Sequence, residues 1–487
     1  MIERIETSRN GLPTAWAGSV CCHSRYDPQA EAERYATSLE LPEDACAVIL
    51  VEPALGYILS PIRRKFPGLR ILAVHCSPFF QEAARQHAPD DSWSPKNLET
   101  LTVFLERNIS EDEQTRVRVV PWKPSLRAYG DELAAMLRNI SDFLKRGAAN
   151  KRTVSASGRR WFRNALRNIS LAHTYLLPLN QGVPVVVAGA GPGLERSIPA
   201  IREAHSEGSI AVVAVSSSFL ALYSQGIIPD LIVGTDGNTW ALFHIWEVDR
   251  VNLNGTAIPL AASLTAAVGS RMAIDSTLWI QDGSLWQSII AGQRGLPPFG
   301  LPQRGTVAAT AVDIARQLTA GAIYLAGFDL AHQDVRTHAR PNALDRFKEP
   351  GECRFNPSYS QSHARARAIE DSGALEIYAA WFKDHLTEAW DRLCVLGTAH
   401  TAFNALAHRE TIACGPYRKS PFLRSAALAE VEGKAVALEA VGALRGALSE
   451  MGPRSRLHNE LGELFGLEES ERTMRIIIDI AGSLAAT

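Results

Sequence analysis

The residues best suited to chemistry in this chain fall where apolar runs end. GAGPGL, from Gly189 to Leu194, follows the run VPVVVA and opens a helical stretch. A glycine turn between a strand and a helix can aim backbone N–H groups and a helix N-terminus at one spot, which suits a phosphate. The same turn can also serve tight packing alone. Gly189, Gly191, Pro192 and Gly193 are the candidates it supplies. It is not the dinucleotide fingerprint, because Leu194 stands where GxGxxG has its third glycine. The next strand should end at Ser216-Ser217-Ser218, where a nicotinamide-binding protein carries an acid for the ribose hydroxyls. Nicotinamide chemistry is therefore disfavoured, and Ser216 is a polar candidate instead. In GTDGN, Asp236 and Asn238 either make a turn or hold ribose hydroxyls, or a metal with its phosphates. Gly305 and Thr306 begin a helix after Pro302, with the Thr306 hydroxyl either capping it or meeting a phosphate. Asp329 ends the run AIYLAGFD, and three histidines follow, His332, His338 and His363. Imidazole titrates near neutrality, so histidines in a loop leaving a sheet's carboxyl edge suit acid/base work, and His338 ranks first among them. GxSxG, HExxH and Walker patterns are absent from the sequence, which removes the common hydrolase, zinc protease and nucleoside triphosphatase readings.

The elements that would hold these residues form an α/β protein. Strand-like runs of four to six aliphatics alternate with helical stretches from Val183 to Ala326, predicting a central, doubly wound, Rossmann-like and mostly parallel sheet over 182–415. Ligands belong at the carboxyl ends of such strands. A smaller α/β domain over 1–140 should precede it, with ACAVILVE and RILAVHC as parallel strands and Asp27-Pro28 starting a helix. A basic helical linker spans 141–181, where Lys145, Arg146, Lys151, Arg152, Arg159, Arg160, Arg163 and Arg167 meet no acid between Phe143 and Arg167. It is either a solvated connecting helix or an electropositive collar. The remainder, 416–487, is rich in Ala, Leu and Glu and reads as two or three helices, the last (Met474 to Thr487) apolar enough to pack on the body or on a partner chain.

The 487 residues carry 50 Lys plus Arg against 52 Asp plus Glu, a formal charge of −2, so no global field favours nucleic acid or an anionic membrane. The seven cysteines are scattered without CxxC, which suggests neither a disulfide framework nor a zinc cluster and fits a reducing compartment. MIERIETSRN lacks the apolar core of a signal peptide, and no long apolar run occurs. A soluble, cytoplasmic protein is expected.

In combination, GAGPGL, SQGIIPDLIVGTD, RGTVAATA and AIYLAGFDLAHQDVRTHA resemble the central domain of the motility-associated factor (Maf) flagellin glycosyltransferases. That domain is itself similar to 6-hydroxymethylpterin pyrophosphokinase-like domains and to CMP-sialyltransferases. HSRYDPQAEAERYA and VEPALGYILSPI look like the family's N-terminal domain, and RRWFRNALRNI like its inter-domain helix. The resemblance implies transfer of a nonulosonic acid, such as pseudaminic or legionaminic acid, from its CMP-activated form to Ser or Thr of flagellin, in support of flagellum assembly and motility. By position, Gly189, Gly191 and Gly193 would line the CMP phosphate, Asp236 the ribose or cytidine, Thr306 the phosphate, and His338 the family's histidine. No cofactor is firmly implied beyond the CMP-sugar co-substrate, and a divalent metal is left open. Two departures stand out: Gly193 replaces the family's usual Ser, and no Tyr lies between Tyr324 and Tyr359 to steady a leaving phosphate. The alternatives are an ATP-dependent pyrophosphokinase using Asp236 and Asp329 as metal carboxylates, and a non-catalytic flagellin-binding adaptor.

Overall fold

The computed structural model describes residues 2–485 except 111–112, 181, 270, 372, 386–391, 414–421, 430–432, 453–454 and 468–469. Cys414, Pro453 and the expected domain edges near 181 and 415 lie outside the described residues. The chain divides into two compact units, Met1–Val154 and Ser155–Thr487.

In the first unit, β1 (Glu3–Thr7), β2 (Pro13–Ala17) and β3 (Val20–Cys21) form an antiparallel sheet. A four-stranded parallel sheet follows, with β4 (Ala47–Val51), β5 (Arg70–Val74), β6 (Asp91–Trp93) and β7 (Val117–Pro121) in the order β6-β5-β4-β7. Every residue of β4, AVILV, is buried, the signature of a strand covered on both faces. The Asp27 carboxylate accepts from Ala30 N–H and Pro28 takes the first turn of the helix Pro28–Ser38, as the Asp-Pro pair predicts. The antiparallel sheet was not foreseen: β1 is mostly exposed and charged, so it lacks the apolar alternation that identifies a strand.

In the second unit, β8 (Thr174–Pro178) pairs antiparallel with β17 (Leu423–Ala427). Between them in sequence come β9 (Val185–Ala188), β10 (Ala211–Val215), β11 (Leu231–Gly234), β12 (Leu260–Ser263), β13 (Thr277–Ile280), β14 (Ile323–Ala326), β15 (Leu393–Leu396) and β16 (Ala407–Arg409). These eight make one all-parallel sheet, β13-β12-β11-β10-β9-β14-β15-β16. β9 comes first, the chain winds outward to β13, then returns to β9's other flank as β14. The sheet's switch point therefore lies between β9 and β14. Val185, Val187, Val213 and Leu325 from the sheet meet Ile314 and Phe328 in the core. β12 (LAAS) and β16 (AHR) escape sequence reading because neither carries a β-branched residue, and β16 is exposed as well.

The C-terminal region holds the helices Gly433–Met451, Arg456–Phe465 and Ser470–Ala485. The last packs on the first of these and buries Ile477, Ile480 and Ala481, so this apolar stretch covers the body of its own unit. Among the described residues no helix is long and apolar enough to cross a membrane, and the six described cysteines are free.

Candidate functional site

The carboxyl ends of β9 to β13 open into a cleft of about 450 Å³. Each strand delivers one polar or glycine position to its wall: Gly189 after β9, Ser217 after β10, Asp236 after β11, Thr265 after β12 and Asp282 after β13. Gly305 and Thr306 close one side, His338 another, and Tyr378 of the helix Ala374–His385 a third.

The glycine turn is more tightly locked than a phosphate cradle needs to be. Gly189 N–H donates to Ala326 O at 2.8 Å, Gly191 N–H to Gly327 O at 2.9 Å, and Gly193 N–H to the Asp329 carboxylate at 2.9 Å. A Cβ on Gly191 would lie 2.1 Å from Asp329 Oδ2, and one on Gly189 2.6 Å from Gly327 O. Three of the N–H groups expected to meet a ligand thus tie β9 to β14 across the switch point. Pro192 and Gly193 are buried beneath the turn. Asp329 lies three residues beyond β14, against the turn and not on the cleft wall, and burial raises its carboxyl above the usual range despite the Gly193 donor.

The donors that remain are those of the helix Val307–Leu318. Thr306 is its N-cap, yet its side chain makes no capping bond, and the first N–H groups of a helix have no partner within it. Both Thr306 and the glycine before it, Gly305 at φ +68°, line the cleft. Asp236 Oδ1 accepts from the N–H and the side-chain amide of Asn238, both at 2.8 Å. Its other oxygen carries no bond from those groups, while Asn238 serves as the N-cap of the helix Thr239–Asn252, away from the wall. Ser216 is also off the wall; its neighbour Ser217 takes that place.

His338 is positioned by the loop that carries it. Ala339 N–H donates to Ala190 O at 2.8 Å, Arg336 pairs with Glu195 at 3.1 Å, Arg340 N–H donates to Glu195 at 3.0 Å, and Asn342 donates to Ser217 O at 3.2 Å. The loop is pinned to the glycine turn, its helix and the end of β10. Burial, then the nearby Arg365 guanidinium, pushes the His338 imidazole down to about 3, so it is neutral at pH 7. His244, on the helix after Asp236, is pushed down to about 4 by the same two causes. His332 precedes this loop off the cleft wall, with both ring nitrogens buried and unpaired among the described residues. His363 is exposed and stacks on Tyr359. Of the three histidines, only His338 reaches the cleft.

Among the cleft residues missed from the sequence are Tyr378, Trp161 and Thr265. Tyr378 comes from a helix forty residues beyond the loop; burial, reinforced by Asp236, raises its phenol. Trp161, inside the basic stretch, packs so closely on Gly237 that a Cβ there would lie 2.5 Å from its ring. That contact gives GTDGN a reason for its glycine. Thr265 is held with Gly237 by Asn164, whose amide donates to both carbonyls. From the same stretch, Arg167 donates to the Val268 and Gly269 carbonyls, so this one of the basic residues is a brace. Among the described residues, no three His, Cys, Asp or Glu side chains are grouped to hold a metal.

Residues 159–335 match the family described as 6-hydroxymethylpterin diphosphokinase MptE-like. An uncharacterized protein of Treponema pallidum (strain Nichols) is 27% identical over 347 residues, 70% of this chain and 74% of its own. A MAf glycosyltransferase from Magnetospirillum magneticum AMB-1, known as a solved structure, aligns over 99% of this chain and 85% of its own, at 12% identity and a TM-score of 0.48. The segment matched by the family model takes in the glycine turn, GTDGN, Thr306 and Asp329, and through it the chain resembles the Maf group by way of an MptE-like central domain.

Proposed function

We propose that this protein is a glycosyltransferase that moves a nonulosonic acid, of the pseudaminic or legionaminic type, from its CMP-activated form to a Ser or Thr hydroxyl of flagellin. The observation that carries the reading is the cleft wall itself: a carboxylate (Asp236), an uncapped helix N-terminus with a hydroxyl (Thr306), a neutral imidazole (His338) and a phenol (Tyr378) share one cavity. That set matches the parts of a CMP-sugar. Asp236 suits ribose hydroxyls, the Thr306 helix end suits the phosphate, and the Trp161 ring offers the cytosine a flat face.

In the reaction, the bond from the anomeric carbon to the phosphate oxygen breaks and its electron pair stays on CMP. The acceptor oxygen bonds that carbon, and its proton passes to a base. Charge developing on the leaving phosphate is stabilised by preorganised donors, and the Tyr378 phenol is well suited to add one. It takes the part of the tyrosine that the sequence lacks between Tyr324 and Tyr359. Flagellin as acceptor rests on the Maf resemblance alone.

A second reading, an ATP-dependent diphosphotransferase acting on a pterin, is favoured by the name of the matching family. It needs a pair of metal carboxylates, and of the two expected, Asp236 lines the cleft whereas Asp329 is engaged with Gly193. A thermal shift assay separates the readings. CMP at a hundredfold excess over its Kd adds about 2.7 kcal/mol to the native state. A shift with CMP and none with ATP and Mg²⁺ supports transfer, and the reverse supports the diphosphotransferase. Mass spectrometry of flagellin from cells with and without this protein tests the acceptor: a nonulosonate mass lost from flagellin is expected, and an unchanged spectrum rejects flagellin.

A further inference from the structure

His338 has two ring nitrogens, and its neighbours treat them differently. Nδ1 faces Thr337 Oγ1 at 2.9 Å and Arg365 Nη2 at 3.4 Å, inside a small recess that Arg340, Asp345 and Ser362 also line. No bond to Nε2 is formed among the described residues, and the ring lines the main cleft as well. A guanidinium has N–H groups and no acceptor, and it does not deprotonate in proteins. An N–H aimed at Nδ1 is compatible only with a lone pair there; a proton on Nδ1 would set two donors against each other. The threonine hydroxyl is free to rotate and conforms to either state. The arginine therefore decides the matter.

We propose that Arg365 is a positioning residue that fixes His338 as its Nε2–H tautomer, so that the imidazole offers the cleft a hydrogen-bond donor and not a base. Assigning that donor to the leaving phosphate rests on the transfer reading above; the tautomer itself does not. A neutral imidazole used as a donor spares the site a histidine cation beside Arg365, the charged group that, after burial, does most to hold His338 neutral. Arg365 itself is held by Asp345 at 4.0 Å, and Asp345 also pairs with Arg340 at 3.3 Å. The acceptor's proton must then leave to another group, and Asp236, which lines the same cleft and has one oxygen outside its Asn238 bonds, is a carboxylate available to take it.

The test is nitrogen-detected NMR of the full chain with ¹⁵N-labelled histidine, assigned with a His338→Gln variant. At pH 7 the wild type should give one His338 species, protonated at Nε2 and bare at Nδ1. Thr337→Val should keep it, Arg365→Lys should keep it because an ammonium also donates, and Arg365→Met should bring in the Nδ1–H species and move the titration of His338 upward. A wild-type ring protonated at Nδ1, or a tautomer that follows Thr337→Val and ignores Arg365→Met, overturns the proposal. If Arg365→Met fails to fold, the wild-type and Thr337→Val spectra still decide between the two tautomers and the two neighbours. Adding CMP to the wild-type sample checks the transfer reading separately. A shift of the Nε2–H signal supports occupancy of the cleft, and no shift counts against the transfer reading while leaving the free-protein tautomer as measured.

Discussion

The two parallel sheets of this protein follow one plan and end differently. In each, the first strand lies inside, the chain winds to one flank and then returns to the other, β4 to β7 in the first unit and β9 to β14 in the second. That plan creates a crevice at the carboxyl edge. In the first unit the crevice is filled. Glu52, directly after β4, and His75, after β5, are both fully buried, 3.6 Å apart, and Glu52 also accepts from Cys76 N–H. The antiparallel sheet and its return close over them: Glu3 of β1 accepts from Ser77 at 2.6 Å and from Tyr129 at 2.8 Å, His23 accepts from Leu55 N–H, and Trp122 donates to Cys22 O. In the second unit the corresponding edge stays open, and its polar groups line a cleft. Topology supplies a place for a ligand, and the segments laid across it decide whether a ligand can use it.

The largest effects should come from breaking the lock that shapes the open edge. Gly191→Val drives a side chain into the Asp329 carboxylate and the Gly327 backbone, and Gly189→Ala meets the Gly327 backbone and the Phe328 ring. Each should cost about 1–3 kcal/mol, the valine at the upper end or beyond, read as a lower denaturant midpoint. The valine variant is expected to lose stability before it reports on a ligand. An unchanged midpoint would mean the turn is not held by Asp329.

Next comes the filled edge. Glu52→Ala leaves Cys76 N–H and His75 without their acid, a loss of about 1–3 kcal/mol, while CMP binding by the folded fraction stays as in the wild type. The open edge should behave oppositely. Thr306→Val makes no buried orphan and removes no cap, so stability should move within about 0.5 kcal/mol, yet CMP affinity should fall. Tyr378→Phe should likewise leave the midpoint unchanged and lower transfer by roughly 10²-fold if its hydroxyl meets the leaving phosphate. Should Glu52→Ala weaken CMP binding and Thr306→Val leave it untouched, the roles of the two edges are reversed.

How much of this was legible beforehand follows from what each residue depends on. VVVA, AVVAV and AVILV name buried parallel strands by composition alone, and Asp27-Pro28 names a helix start, because those signals are local. Gly189, Gly191, Asp236, Gly305, Thr306 and His338 reach the cleft for a similar reason: each directly follows a strand, opens a helix or rides a short loop pinned beside one. Ser216 missed by one position because a 3-10 turn over Ser216–Ser218 rotates its neighbour onto the wall. Asp329 was legible as polar and at a strand end, but its partner, Gly193 N–H, is set by the contact between β14 and the turn after β9, which no local pattern encodes. Tyr378 and Trp161 were out of reach for the same reason, since helices distant in sequence bring them in. β1 to β3 were invisible because β1 is charged and mostly exposed, β2 opens on a proline and β3 is two residues long, and with them the closure of the first edge.

The smallest expected effect concerns acid. His338 on the cleft wall and His244 on the helix after Asp236 stand at about 3 and about 4 in the native protein against an ordinary 6.5, and His23 of the filled edge is also lowered, by burial, with Glu31 opposing. When native values are depressed, the unfolded chain binds more protons at any pH between the two values, so stability rises with pH across that window. The contribution is complete above about pH 6.5 and is lost progressively as pH falls toward 4. Protonation of carboxylates acts on every variant alike, and the raised Asp329 works in the opposite sense, so the informative quantity is a difference. Between pH 7.5 and 4.5, wild-type Tm should fall further than that of a His338→Gln, His244→Gln double variant, which has neither of these buried imidazoles left to protonate. A wild type and double variant that lose Tm in parallel would mean these two histidines are not held neutral, and the open edge would then be wetter than the walls of a cleft that excludes water from a departing phosphate.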